Sequence, residues 1–242
     1  MDVAPRIRRI GRGIVNSYLV VEGGEVTIVD AGAPGYWGQL PGELAAMGRS
    51  LADVRSVVLT HGHSDHIGFA ERIRRERGVP IRVHELDAAL ARGEVPNPSK
   101  GAGPIRFRPL LGFLWFSLRN GLLRIPRIQE VAVYGDGATL DVPGAPKVIL
   151  LPGHTPGSAA LHFEGHDALC IGDALATYAV TTGAEGPQVA PFTADARQAV
   201  ESLRRLDGVE VAHLLPGHGQ PWKLGVRAAV AAVRASAPAE AR

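Results

Sequence analysis

A chain of 242 residues, 45% hydrophobic and 21% charged, has ordinary globular composition and the length of one large domain, here expected to span 1–242. Its formal charge of +2, with acids and bases intermixed and no evident basic stripe, argues against a nucleic-acid or membrane-surface protein. Cys170, the single cysteine, cannot close an internal disulfide, and Met1-Asp2-Val3-Ala4-Pro5-Arg6 is not a charged-then-apolar leader, so a cytoplasmic location is expected.

Alternation of apolar and polar residues predicts strands over Val15–Val21 and Glu25–Asp30, turned by Glu22-Gly23-Gly24. A helix is expected from Leu40 to Gly48, and the β-branched run Val54–Leu59 reads as a buried strand. Helical spacing returns at Gly68–Arg77, followed by a strand at Ile81–His84 and a helix at Glu85–Arg92. The later part reads as strands at Val131–Tyr134, Thr139–Val142, Lys147–Leu151, Ala159–Phe163 and Asp167–Ile171. A helix at Asp195–Leu206, a strand ending at Leu215 and an Ala-rich tail after Gly225 complete the chain.

Between Val95 and Ile128 the composition changes: five prolines punctuate a stretch containing Phe107, Phe113, Trp115 and Phe116. Its apolar run, Leu110–Leu118, is about half the ~20 residues that a membrane span requires. Phe113, Trp115 and Phe116 are candidates to line an apolar substrate pocket, with Arg106, Arg108, Arg119, Arg124 or Arg127 as an anchor for a carboxylate. The other reading is that this apolar surface covers a sheet or joins two copies as a homodimer while the arginines are solvated.

The chemistry is concentrated in four motifs: His61-Gly62-His63-Ser64-Asp65-His66, then Gly153-His154-Thr155-Pro156-Gly157, Gly172-Asp173 and Gly217-His218-Gly219. On a loop leaving a strand, alternate residues point to opposite sides, so His61 and His63 can share a face while Asp65 and His66 turn to an adjacent point. Imidazole nitrogen suits zinc, iron and related ions, and carboxylate adds a harder oxygen donor. A lone His-x-His is common by chance, but four such motifs in order describe a site for two divalent metals.

These motifs resemble the signature of the metallo-β-lactamase superfamily, and the resemblance extends from Asp30-Ala31-Gly32 to Pro216-Gly217-His218. It implies an α/β fold, the αββα four-layer sandwich, with a metal site along one edge. It also implies that His61, His63 and His154 hold one metal, that Asp65, His66 and His218 hold a second, and that Asp173 bridges them. Asp30 matches an acidic residue that lies behind the metals in this family and orients a ligand; alternatively it is a turn residue capping a strand. Two divalent ions are expected, zinc first and iron or manganese as acceptable substitutes.

The function implied is hydrolysis of a small ester, lactone, thioester or amide by a hydroxide held between the ions, with Asp65 also orienting it and shuttling its proton. A bridging aspartate resembles the glyoxalase II, lactonase and phosphodiesterase branches rather than those that use a cysteine ligand, and Cys170 reads as an ordinary buried thiol. Little chain follows His218, which argues against the glutathione-binding helical region of glyoxalase II. Tyr178 lies near the bridging aspartate, though not at the lactonase spacing, and is a candidate substrate contact. The alternative readings are a metal-dependent phosphodiesterase or nuclease and a non-hydrolytic, mono-iron redox member of the fold. His84, His162, His166 and His213 fall outside the motifs and are not expected to bind metal.

Overall fold

In the computed structural model, which describes residues 1–99 and 101–237, the strands sort into two main sheets. Lys100 in the inserted segment and residues 238–242 of the Ala-rich tail lie outside the described residues. The chain begins with β1 (Asp2–Ala4) and β2 (Ile7–Ile10), two strands that the alternation did not reveal. Next, β3 (Ser17–Glu22) and β4 (Glu25–Val29) form the expected hairpin. Gly23 and Gly24 have φ of +58° and +87°, the left-handed backbone that a two-residue turn of this hand requires.

After α1 (Leu40–Ala45) come β5 (Val54–Val58), α2 (Ala70–Arg77), β6 (Ile81–His84) and α3 (Ala88–Ala91). The inserted segment contains α4 (Phe107–Arg119), and β7 (Ala132–Tyr134) closes the first sheet. Its order is β1-β2-β3-β4-β5-β6-β7, with β4 to β7 parallel. The chain then forms β8 (Lys147–Leu150), β9 (Ala159–Phe163) and β10 (Ala168–Gly172), a separate ribbon of β11 (Ala176–Tyr178) and β12 (Glu185–Gln188), then α5 (Ala196–Ser202), β13 (His213–Pro216) and α6 (Val226–Ser236). The second sheet has the order β13-β10-β9-β8, with β10 and β13 parallel.

The strand expected at Thr139–Val142 does not form. Thr139 makes one isolated bridge to Lys147, and Val142 turns back so that its amide meets the Leu140 carbonyl. The segment is bounded by Gly137 and by Pro143-Gly144, which leaves too few residues for a ladder.

The period-2 pattern assigns each strand face to a layer. Tyr18, Val20, Val29 and Val58 point from the first sheet toward Val148, Leu161, Phe163, Cys170 and Leu215 of the second. The alternate residues Leu19, Val26, Ile28 and Val57 face the other way and pack with Leu40, Leu44, Ala70 and Ile73 of α1 and α2. Ala160, Leu169, Ile171 and Leu214 likewise pack with Val200 of α5 and Val230 and Val233 of α6. Three apolar layers between four layers of elements make the αββα sandwich, and each fully buried Leu, Ile or Phe contributes about 1.5–3 kcal/mol to holding it.

Because β4 and β5 run parallel, as do β10 and β13, the carboxyl ends of each pair reach the same edge of their sheet. Asp30 directly follows β4, Thr60 and His61 follow β5, Asp173 follows β10, and His218 follows β13.

Candidate metal centre

The four motifs converge. His61, His63 and His154 form one group of facing donor atoms, His61, His66 and Asp173 a second, and Asp65, His66 and His218 a third, with the donor atoms of each group within 4.8 Å of one another. Nε2 of His154 lies 2.9 Å from Nδ1 of His63. Oδ2 of Asp173 lies 3.4 Å from His154 Nε2 and 3.1 Å from His218 Nε2, and its Oδ1 lies 3.6 Å from His66 Nε2. Asp65 Oδ2 is 3.3 Å from His218 Nε2. All are buried except Asp65, whose side chain is 20% exposed and forms the open side of the cluster.

Each histidine is held by its outer nitrogen. His66 Nδ1 meets Asp30 Oδ2 at 2.9 Å, and His63 Nε2 meets Asn97 Oδ1 at 3.0 Å. His218 Nδ1 meets the Ile14 carbonyl. His61 Nδ1 meets Thr60 Oγ1 at 3.1 Å, and that hydroxyl donates its proton to Asp30 Oδ2. His154 Nδ1 meets Thr193 Oγ1 at 3.0 Å, and that hydroxyl donates to the Ala190 carbonyl.

In every case the outer partner is an acceptor, so each neutral ring carries its hydrogen outward and turns a lone pair inward. Five nitrogen lone pairs and two carboxylates then point at one small volume. The inner atoms His61 Nε2, His66 Nε2 and Asp173 Oδ1 are buried without a hydrogen-bond partner. Buried polar atoms are rarely left so, and this donor set fits cations between the rings.

The electrostatics divide the cluster. Burial keeps His61 well below the ordinary imidazole pKa and takes His154 down to about 3. Burial acts on His66 and His218 too, but Asp173 and the other carboxylates outweigh it. They raise His66 well above its ordinary value and His218 to about 10. Burial opposes ionisation of Asp65 and Asp173, yet the neighbouring His66 and His218 hold both below the ordinary carboxylate range.

The backbone is shaped to this packing. Asp30 adopts φ +59° without being glycine or asparagine, a conformation that costs on the order of 1 kcal/mol. Its carboxylate is fixed by the Thr60 amide at 2.7 Å as well as by the Thr60 hydroxyl and His66. At Gly217 a Cβ would stand 2.2 Å from Asp173 Oδ1 and 2.6 Å from His66 Cε1, so no other residue fits there without moving the cluster.

Asp87 has no counterpart in the sequence motifs. Fully buried, it accepts the Gly62 amide at 2.8 Å and the Thr155 hydroxyl at 2.7 Å on Oδ2, and the Gly157 amide at 2.7 Å on Oδ1. It thereby ties the loop of His61 and His63 to the loop of His154. Asn97 and Thr193 also escaped the sequence reading, since a single Asn or Thr in a loop carries no spacing signal.

The candidate substrate residues are placed less uniformly. Phe116 packs edge-on against Tyr36 at 6.2 Å, on the side of the first core layer. Phe113 is half-buried against Phe192, with ring centroids 6.4 Å apart. Trp115 is 64% exposed on the opposite face of α4. Tyr178 lines a cleft of about 420 Å³ with Ile14, Gly219 and Trp222, next to the loop that carries His218. A second cleft of about 210 Å³ runs from His63 and Ser64 to Asn97, Ile125 and Arg127. Cys170 is buried between the sheets, where burial raises its thiol pKa, and among the described residues it belongs to no metal group.

Fold and site together define a metallo-β-lactamase-type protein, and the comparisons agree. The sequence profile of the metallo-β-lactamase superfamily matches residues 10–218, and the chain belongs to that superfamily. Among curated relatives, the probable metallo-hydrolase YflN of Bacillus subtilis is 29% identical over 80% of this chain and 75% of its own length. The uncharacterised Rv2581c of Mycobacterium tuberculosis is 30% identical over 87% and 88%. Among solved structures, the metallo-β-lactamase family protein TTHA1429 of Thermus thermophilus is similar with a TM-score of 0.69 and 26% identity over 97% of this chain and 80% of its own. TTHA1623, solved in a di-iron-bound form, has a TM-score of 0.60 and 25% identity over 91% and 96%. The protein is a metal-dependent hydrolase.

Proposed function

We propose that the protein holds two divalent ions side by side and hydrolyses the carbonyl of a small ester, lactone, thioester or amide. The observation that carries this reading is the set of five inward imidazole nitrogens around Asp173, in which His61 Nε2, His66 Nε2 and Asp173 Oδ1 are buried without a hydrogen-bond partner. One ion fits His61 Nε2, His63 Nδ1 and His154 Nε2; the other fits Asp65, His66 Nε2 and His218 Nε2, with Asp173 between them. When bound, such a pair supplies an acidified water and a Lewis acid for the carbonyl oxygen.

The chain's own residues do the rest. Asp65, on the open side, is placed to take the proton from the attacking water and pass it to the leaving group. Thr60, Asn97, Asp30, Thr193 and the Ile14 carbonyl fix the ring orientations, so little reorganisation is required as the reaction proceeds. The two clefts beside the cluster offer room for an acyl group on one side and a leaving group on the other, with Tyr178 lining the larger of them. An all nitrogen and oxygen donor set accepts zinc, iron or manganese, and the di-iron form of TTHA1623 supports iron beside zinc.

The test is elemental analysis of protein purified without added metal, together with a plate of chromogenic esters, lactones, thioesters, cephalosporins and bis-nitrophenyl phosphate. Near two metals per chain with carbonyl turnover is the expected result. Turnover of the phosphodiester alone overturns the carbonyl reading, and a single metal without turnover overturns the dinuclear one.

A further inference from the structure

The small net charge of the chain conceals an uneven distribution. Residues 95–129 contain six of the 26 Lys and Arg residues and none of the 24 Asp and Glu residues, so the remainder is net acidic. Elsewhere many arginines are neutralised in place, as Arg6 is by Glu22, Arg8 by Asp2 and Glu43, Arg55 by Glu25 and Arg74 by Glu71. Arg106, Arg108, Arg119, Arg124 and Arg127 are all exposed, and among the described residues none has an acidic side chain within ion-pair distance.

The helix between these arginines presents its apolar side outward. Phe107, Leu111, Leu114, Trp115 and Leu118 recur at helical spacing and form a stripe about 100° wide along roughly 20 Å of α4. All five are exposed, Phe107 at 75% and Leu118 at 60%. Leu123, beyond the helix, adds to the same segment's apolar surface at 71% exposure. The opposite face of α4 is already used: Phe116 meets Tyr36, Phe113 meets Phe192, and the Arg106 amide bonds the Thr181 carbonyl. The outward stripe is therefore not a lining of the metal cleft.

We propose that α4 docks the protein on an anionic lipid surface, lying in the plane of the interface with Phe107, Leu111, Leu114, Trp115 and Leu118 among the acyl chains and the arginines at the headgroups. A surface helix that exposes Trp, Phe and Leu along one side, with Arg beside them, is suited to lie in such an interface without crossing it. Charge selects this occupant over a second copy of the chain. A two-fold dimer sets a patch against itself, and here that sets a segment with five arginines and no acidic residue of its own against the same segment. Headgroup phosphates meet the same cations with opposite charge. The inference rests on the α4 surface and not on the reaction, although the same segment supplies Asn97 to His63 and part of the adjacent cleft.

The experiment is flotation of the full chain with vesicles of phosphatidylcholine alone and of phosphatidylcholine with phosphatidylglycerol at two to one. The expected result is binding to the anionic vesicles only, weakened by salt. Arg108→Gln with Arg119→Gln lowers partitioning about 25-fold, taking roughly fivefold per cation at the surface. Leu114→Asp with Trp115→Asp abolishes binding while circular dichroism, thermal midpoint and metal content stay at wild-type values, because both side chains face solvent. Absence of binding, equal binding to neutral vesicles, or a dimer in light scattering that the Leu114 and Trp115 changes dissociate overturns the proposal.

Discussion

Asp87→Ala separates the proposed metal ligands from what holds them in place. The carboxylate accepts three hydrogen bonds in a fully buried position, two of them from the amides of Gly62 and Gly157. Removing it leaves both amides without a partner, while the Thr155 hydroxyl retains Ser158 Oγ at 2.8 Å. An orphaned buried donor costs about 1–3 kcal/mol, so two cost roughly 2–6 kcal/mol, or roughly 5–20 °C in thermal midpoint for a chain of this size. Asp87→Asn keeps an oxygen for one amide and sets an NH₂ against the other, so its loss falls near half of that range. Because the two loops carry His61, His63 and His154, metal retention falls with stability, the three-histidine position emptying first. Urea unfolding monitored by circular dichroism, beside metal per chain by elemental analysis, measures both. A loss under about 1 kcal/mol with metal content unchanged refutes the reasoning that Asp87 couples the loops.

Asp30→Asn turns an amide toward one of the groups the carboxylate accepts and loosens His66; metal affinity is expected to fall about 10- to 100-fold by competition with a chromogenic chelator, and unchanged affinity would mean that Asp30 only caps β4. His61→Ala with His63→Ala is expected to abolish hydrolysis with the circular dichroism spectrum retained, and residual turnover at the wild-type rate would remove these rings from the site. Asp65→Asn removes the proton acceptor on the open side; kcat is expected to drop about 10²- to 10⁴-fold, and a kcat within twofold of wild type dismisses the proton-transfer role. In metal-free protein at pH 7, the raised pKa values leave His66 and His218, the latter near 10, protonated, whereas His154, near 3, is already neutral. Metal entering beside Asp65 must therefore displace protons, its affinity rising with pH toward about 10, while metal at the three-histidine position displaces none from His154. Calorimetric titration in buffers of different ionisation enthalpy reads this difference, and equal proton release at both positions contradicts it.

The strands on both sides of the central layer were legible because burial of both faces imposes β-branched or alternating runs, as in Val54–Val58 and Ala159–Phe163. Thr139–Val142 has the same local composition but lies between Gly137 and Pro143, and composition cannot tell a strand from a turn that borrows one bridge. β1, β2, β11 and β12 are three or four residues long, too short for a period to register. The helix at Phe107–Arg119 was masked by a different cause. Its apolar residues occupy both faces, one against Tyr36 and Phe192 and the other toward solvent, so the run reads as uniformly hydrophobic rather than amphipathic.

The site follows a similar division. His61 to His66, His154, Asp173 and His218 were visible because side chains that meet at one point must leave strand ends on short, small-residue loops, and that demand writes itself into spacing. The residues that aim them obey no such demand. Asn97 comes from the inserted segment, Thr193 from the loop before α5, and Ile14 acts through a carbonyl that any residue possesses. Yet these acceptors decide the chemistry. With the hydrogen of each ring drawn outward, the inner nitrogens and carboxylates face one another across a small buried volume, and the negative charge of Asp173 and its neighbouring carboxylates outweighs burial to keep His66 and His218 protonated in the absence of metal. The sandwich holds each ring through a hydrogen bond to its outer nitrogen, so the expectation is that the fold organises the site before any ion enters. Metal uptake should therefore be rapid and should leave the far-ultraviolet spectrum unchanged; a large gain in helix or strand signal on adding zinc to the stripped protein would instead mean that the ions build the site.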